Sequence, residues 1–454
     1  MTDDDLARRL AALTPEQRAR FDALLAERTA AEDTFPLAVL QRGTWFLEQL
    51  RPRNPGYIVP GAVRIEGPLD TGLLRAAVAE IVRRHEALRT TFQLRDGAPV
   101  QVVHRHLALD IPETDLGGPG YTDADRQKWI DDALAEPFDI DTGPLTRARL
   151  LHTGPEECVL VVAMHHLISD RWSTAVFLSE LSELYEAFSV GKPSPLPDLP
   201  IQYGDFAAWQ QQQLDSGGWQ QDLEYWRDHL AGAPSVLDLP TDRPRPAVQG
   251  FNGGSVPVDL PPALIRELAA LAGRHGATPY MALLTVFQIL LHRYSGQDDI
   301  VVGVPSALRG RAEVEPLIGY FVNTLPIRAD LSGNLAFEQV LTRVRDACLG
   351  AYSHQDVPFE LIVADLNTPR DLSRPPVYQV SFSYGREPVP TLAMAGARLT
   401  RLPVRSEGAR FDLELQAFDT DGGVTGWFEY DRDLFDEATV VRLAGHFRRL
   451  VEQV

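Results

Sequence analysis

Two adjacent histidines followed by a carboxylate raise the question of chemistry: Met164-His165-His166-Leu167-Ile168-Ser169-Asp170-Arg171. The residues before them, 159–164, are a continuous apolar and largely β-branched run, the pattern of a buried strand. Side chains alternate along a strand, so one histidine turns toward a cleft while its neighbour turns into packing. A strand end that runs into a loop suits reactive groups, because a rigid scaffold holds them. An imidazole with a pKa near about 6.5 takes a proton at neutral pH. From the residues alone three readings stand: a catalytic histidine, a buried hydrogen-bonded histidine and a half-built metal site. Metal is disfavoured, because side chains of strand neighbours diverge and no third ligand is evident.

Other signatures of chemistry are missing from the sequence. There is no phosphate loop, no dinucleotide fingerprint and no His-Glu-x-x-His. There is no Gly-x-Ser-x-Gly elbow either. The two cysteines, Cys158 and Cys348, lie in apolar runs and read as buried thiols. They allow one disulfide at most and show no zinc spacing.

The elements that must position the histidines are spread over 454 residues. That length suits about three domains, or two larger ones. The hydrophobic share of 44% and charged share of 23% belong to a globular chain, not a disordered or fibrous one. No apolar stretch reaches the roughly 18 residues of a membrane span, and the acidic start Met1-Thr2-Asp3-Asp4-Asp5 is no signal peptide. A reducing cytoplasm is therefore expected. The net charge of −20 argues against a nucleic-acid partner, which needs a concentrated basic face. Arg401, Arg405 and Arg410 are read as a solvated face.

Residues 3–29 read as helix, with Thr14 as a cap, Pro15 at the first helical position and Gln17 closing a capping box. A helical stub or linker is thus expected over 1–34. Helical spacing recurs over 73–84, 173–188, 262–275, 279–294 and 436–454. Strands are expected over 88–92, 99–103, 159–164, 299–304, 377–384 and 411–418. Residues 191–200 hold four prolines and make the best linker in the chain. The result is an α+β chain in two halves, 35–190 with the double histidine and 191–454.

The histidine segment, His-His-x-x-x-Asp, resembles the core motif of condensation domains of nonribosomal peptide synthetases. Six further motifs follow that family's order. The first is Gln41 with Trp45-Phe46-Leu47-Glu48-Gln49-Leu50, although Gly43 stands where arginine is usual. The second is Arg84-His85-Glu86-Ala87-Leu88-Arg89-Thr90-Thr91-Phe92, and the fourth is Tyr203-Gly204-Asp205-Phe206-Ala207-Ala208-Trp209-Gln210. The fifth is Ile318-Gly319-Tyr320-Phe321-Val322-Asn323-Thr324-Leu325. The sixth is His354-Gln355-Asp356-Val357-Pro358-Phe359-Glu360, and the seventh Arg370-Asp371-Leu372-Ser373-Arg374-Pro375-Pro376. The resemblance spans about residues 35–454, and its flanking motifs look like the subtype taking an L-configured donor.

The resemblance implies two chloramphenicol-acetyltransferase-like lobes in a V-shaped pseudo-dimer, with a tunnel at their junction. Donor and acceptor peptidyl carrier proteins would bring acyl and aminoacyl thioesters on phosphopantetheine arms, and the acceptor amine would attack the donor carbonyl. No cofactor of its own and no metal is implied, and an adenylation domain is the expected neighbour in a larger synthetase. Antibiotic or siderophore biosynthesis is the implied setting. His166 is implied as the positioning group or general base. His165 and Asp170 are implied as structural, with Asp170 paired to Arg309. Trp172, Ser173, Ser306 and Asn323 are candidates to line the tunnel.

Arg171 departs from the family, which has glycine there. It is read as an acceptor-side gate favouring a small acceptor such as glycine. A noncatalytic recruitment platform on the same fold, and a free-standing acyltransferase with a soluble acceptor, are the competing functions.

Overall fold

The computed structural model describes residues 33–454, apart from 119, 369–370, 387–390, 403, 405–407 and 421–422. The helix expected over 3–29 lies outside the described residues. The described residues are α+β, as the sequence implies, with two six-stranded sheets, one three-stranded sheet and helices packed on them.

The histidine strand, Glu157–His165, is central in its sheet, between Ile58–Glu66 and Thr146–Gly154, both antiparallel to it. Residues 158–165 are all buried, which explains why their sequence is apolar without alternation. Helices Thr71–Arg84 and Arg171–Ser189 pack against each other in the same core. Arg84 is buried and paired with Glu180 (2.9 Å), whose other oxygen meets His85 (2.8 Å). The second motif therefore serves the packing of this core.

The other six-stranded sheet runs Val322–Asp330, Asp299–Ala307, Val380–Arg386, Leu413–Thr420, Gly423–Asp431, Gly253–Leu260. Val380–Arg386 and Leu413–Thr420 are parallel neighbours, and the sheet's core is closed by Pro279–Ser295, Phe337–Ser353 and Glu437–Gln453. Leu413, Leu415 and Ala417 enter this core, while Glu414, Gln416 and Phe418 line a cavity on the opposite face.

The two cores exchange chain. Strands Thr391–Met394 and Ala397–Arg401 leave the C-terminal half and extend the histidine sheet alongside Ile58–Glu66. Helix Tyr203–Ser216 and the segment carrying Val314, Leu317, Ile318 and Phe321 also pack into the histidine core. Gly319 fits there because it lacks a side chain: a Cβ would lie 2.2 Å from the Tyr203 ring. Cys158 and Cys348 are both buried and unbridged.

Candidate active site

His165 ends the strand, and His166 opens a single 3-10 turn, His166–Ile168. His165 is buried. Its Nδ1 accepts the Leu167 N–H (3.1 Å), so Nε2 carries the proton and faces Glu48 Oε1 at 3.3 Å. This histidine is absorbed by packing between Tyr57 and Phe138.

His166 faces the other way, into a cavity of about 1960 Å³. Its Nδ1 lies 2.8 Å from the Ser169 carbonyl oxygen. A carbonyl only accepts, so Nδ1 is the protonated nitrogen and Nε2 holds the lone pair of the neutral ring. Burial, and then the positive charge of Arg410, pushes the His166 pKa down to about 4. The Tyr320 ring stands edge-on to it, with centroids 4.8 Å apart.

Asp170 fixes the turn that holds His166. It caps helix Arg171–Ser189: Oδ1 accepts the Ser173 N–H (2.8 Å), and the Ser173 hydroxyl answers the Asp170 N–H (3.2 Å). That is a capping box with a carboxylate at the positive end of the helix. Asp170 Oδ2 also accepts the Phe321 N–H (3.2 Å). Arg309 Nη2 lies 3.0 and 3.1 Å from the two carboxylate oxygens. The other arm of Arg309 donates to the carbonyls of Val314 (2.8 Å) and Leu317 (2.7 Å). Both partners are buried, so the pair ties the histidine turn to the loop after Asp299–Ala307.

Arg171 is exposed at the cavity edge, its Cζ 4.1 Å from the centre of the Phe418 ring on strand Leu413–Thr420. Trp172 also borders the cavity, and its Nε1 donates to the Glu315 carbonyl (2.9 Å). Asn323 borders it too, but its amide is fully engaged. It donates to the carbonyls of Gln355 (2.8 Å) and Val357 (2.6 Å) and accepts the Phe359 N–H (2.9 Å). The sixth motif is thereby held against the fifth.

Three expectations need correction. Ser173 does not line the cavity, because capping Asp170 and accepting the Gly319 N–H (3.1 Å) keep its hydroxyl wholly buried. Ser306 turns away from its neighbours Pro305 and Ala307, which do border the cavity, and donates to Gln355 (2.7 Å). Arg410 is not on a solvated face. It stands half-buried in the cavity wall, where Glu414 lies 3.6 Å away.

Burial works against the charge on Arg410, yet Glu414 and Glu429 hold its pKa above the ordinary value. Glu414 and Glu429 are direct cross-strand neighbours, and burial followed by the Glu414 charge raises Glu429 well above the carboxylate range. Sequence reasoning misses this cluster, because Arg410 and Glu429 meet only through strand pairing. The i, i+4 spacing of Arg410 and Glu414 is the one local signal.

Comparison with known proteins bears on the family and the fold. A family profile described as "Condensation domain" matches residues 31–454. The chain is 42% identical over 425 residues to a linear gramicidin synthase of Brevibacillus parabrevis, covering 92% of this chain and 6% of that protein. It is 39% identical to phosphinothricin tripeptide synthetase PhsC of Streptomyces viridochromogenes, covering 99% of this chain and 43% of that protein. The chain thus spans less than half the length of these relatives. Among solved structures, the X-domain in complex with OxyB from teicoplanin biosynthesis superposes with a TM-score of 0.83 at 30% identity, covering 94% of both chains. A four-domain nonribosomal peptide synthetase bound to AMP and glycine shares the fold, with a TM-score of 0.84 at 23% identity over 93% of this chain and 33% of that one. With the profile match over nearly the whole chain and the double histidine at the end of a central strand, this chain belongs to the condensation-domain family of nonribosomal peptide synthetases.

Proposed function

We propose that the chain forms an amide bond between two carrier-tethered substrates, a donor aminoacyl or peptidyl thioester and an acceptor aminoacyl thioester. The observation that carries this reading is the orientation of His166. Its Nδ1–H is committed to the Ser169 carbonyl, which leaves Nε2 as an acceptor on a ring that borders a large cavity. The acceptor amine attacks the thioester carbonyl carbon, the C–S bond breaks, and the proton lost by nitrogen goes to the departing thiolate. A thioester is already activated, so positioning supplies much of the rate.

A pKa near 4 makes His166 a weak base at neutral pH, since a general base works best when its pKa lies near the working pH. This favours His166 as a hydrogen-bond acceptor that holds the neutral amine, with Arg410 helping to keep the ring uncharged. His165, Asp170 and Arg309 are positioning residues in this scheme. Arg171, resting on Phe418, serves as the acceptor-side gate and favours glycine.

The lobes are divided near residue 190, with helix Tyr203–Ser216 and strands Thr391–Met394 and Ala397–Arg401 crossing back to the first lobe, and 1–34 is a linker that leads into strand Asp33–Pro36. Both substrates ride on phosphopantetheine arms of upstream and downstream carriers beside an adenylation domain, in a cytoplasmic synthetase making a secondary metabolite. The test is transfer between two loaded carriers, read by the mass of the acceptor carrier.

A second reading is a recruitment platform. The X-domain of teicoplanin biosynthesis, which shares this fold, is seen in complex with OxyB. No transfer with any pair, while a carrier still binds, would favour it.

A further inference from the structure

Glu360 is a half-buried carboxylate that the reaction above does not use. It sits in the first turn of helix Phe359–Leu366, placed there by the Asn323 clamp on the preceding segment. Its Oε2 is closed off from solvent and has no hydrogen-bond partner among the described residues. Burial pushes its pKa up to about 8, opposed by its own backbone N–H and by Arg42. The Arg42 guanidinium itself is bonded to Gln211 (2.6 Å).

Opposite Glu360 stands Gly43, in helix Gln41–Leu50. A Cβ on Gly43 would lie only 3.1 Å from Glu360 Oε1. The chain therefore presents bare backbone to the carboxylate, where most side chains would crowd it. Gly43 and Glu360 both border the cavity, as does Tyr320. Tyr320 responds to both features: its ring is 4.8 Å from that of His166, and after burial the Glu360 charge is the largest influence raising its pKa, to about 12.

An unpartnered carboxylate in such a place is unfavourable by itself. A cation arriving there favours the ionised form, displaces the proton that a pKa of about 8 leaves on Glu360 at neutral pH, and gains a charge-assisted hydrogen bond in a poorly hydrated site. We propose that Glu360, facing Gly43 across the cavity wall, is a subsite for an ammonium or guanidinium group of the substrate. The proposal rests on the cavity being the substrate site, and it makes Glu360 a specificity-determining residue.

Three N-acetylcysteamine thioesters separate the possibilities: pentanoyl, norvalyl and ornithyl, carrying no ammonium, the α-ammonium, and both the α- and side-chain ammonium groups. Their binding to the full chain is measured by titration calorimetry, with melting temperatures recorded for each variant. At least one ammonium-bearing probe is expected to bind about tenfold or more tighter than the pentanoyl probe. Glu360→Gln should remove that advantage and leave pentanoyl binding unchanged. If only the ornithyl probe gains, the subsite takes a side chain; if both gain equally, it takes the α-ammonium. Gly43→Arg places the chain's own guanidinium beside Glu360, which must shift by a few tenths of an ångström to admit the new Cβ, and should remove the same advantage.

Equal binding of all three probes, no binding of any, or an advantage that survives Glu360→Gln would each overturn the subsite. Failure of carrier-to-carrier transfer with the binding preference intact would count against the reaction and not against the subsite.

Discussion

Arg309 reaches both carboxylate oxygens of Asp170, at 3.0 and 3.1 Å, from a loop of the opposite sheet. The pair is fully enclosed, and Asp170 simultaneously caps the helix that follows the histidine turn. Breaking a buried pair leaves one charge stranded, at a loss of about 3–5 kcal/mol. Asp170→Asn and Arg309→Ala should each lower stability by that order in urea unfolding. Transfer should fall with them, because the turn carrying His166 loosens. Unchanged midpoints and unchanged transfer would show that the pair positions nothing.

The low pKa of His166 makes stability depend on pH. In the unfolded chain a histidine protonates near about 6.5, whereas His166 in the fold holds off until about 4. Between those values the unfolded state binds more protons, so stability falls as the pH drops through that window. Above about 6.5 the contribution is fully present. His166→Ala should therefore show a flatter stability profile than the natural chain between pH 6.5 and 4. Parallel profiles for the two proteins would mean that His166 is not held neutral.

Arg171 and Phe418 meet from opposite sides of the cavity edge. Arg171→Gly removes the side chain, and Phe418→Ala removes its rest. Both should admit larger acceptors, so the preference for a glycyl over a leucyl acceptor carrier should shrink by about tenfold or more. The measurement is competition between the two carriers in one reaction. A preference unaltered in both variants would remove Arg171 from acceptor selection.

Ser173 separates a capping role from a lining role. Its hydroxyl is buried against Asp170 and Gly319, away from the cavity. Ser173→Ala should lower stability by about 1–3 kcal/mol, because the Asp170 and Gly319 N–H groups it serves are left without their buried partner. Carrier KM should stay unchanged in the same variant. A raised KM with unchanged stability would reverse that assignment.

Much of the architecture is legible in the sequence, where local pattern decides it. The unbroken apolar run before His165 reads as a doubly covered strand, and Glu157–His165 is one. The Asp170-x-x-Ser173 spacing matches the capping box that forms, although nearness to His166 makes Ser173 look like a tunnel residue. The first-turn geometry of the helix, not distance along the chain, decides where that hydroxyl goes. Ser306 is misplaced by sequence because its direction depends on which face of Asp299–Ala307 meets the cavity.

Arg410 looks like one of several surface arginines, because its partner Glu429 is reached only through the pairing of Leu413–Thr420 with Gly423–Asp431. The chain exchange between the cores is likewise invisible, since Ala397–Arg401 pairs with Ile58–Glu66, more than half the chain away. Local periodicity carries no information on such partners.

Transfer between two loaded carriers, with and without His166, is the most direct test. One carrier bears an L-aminoacyl or dipeptidyl donor and the other glycine, and the mass of the acceptor carrier is followed over time. The natural chain should lengthen the acceptor, and His166→Ala should slow this by about 10²-fold at an unchanged fold, the loss expected when a reacting group is no longer held in place. Transfer at the same rate without the His166 ring would contradict its place at the reacting amine.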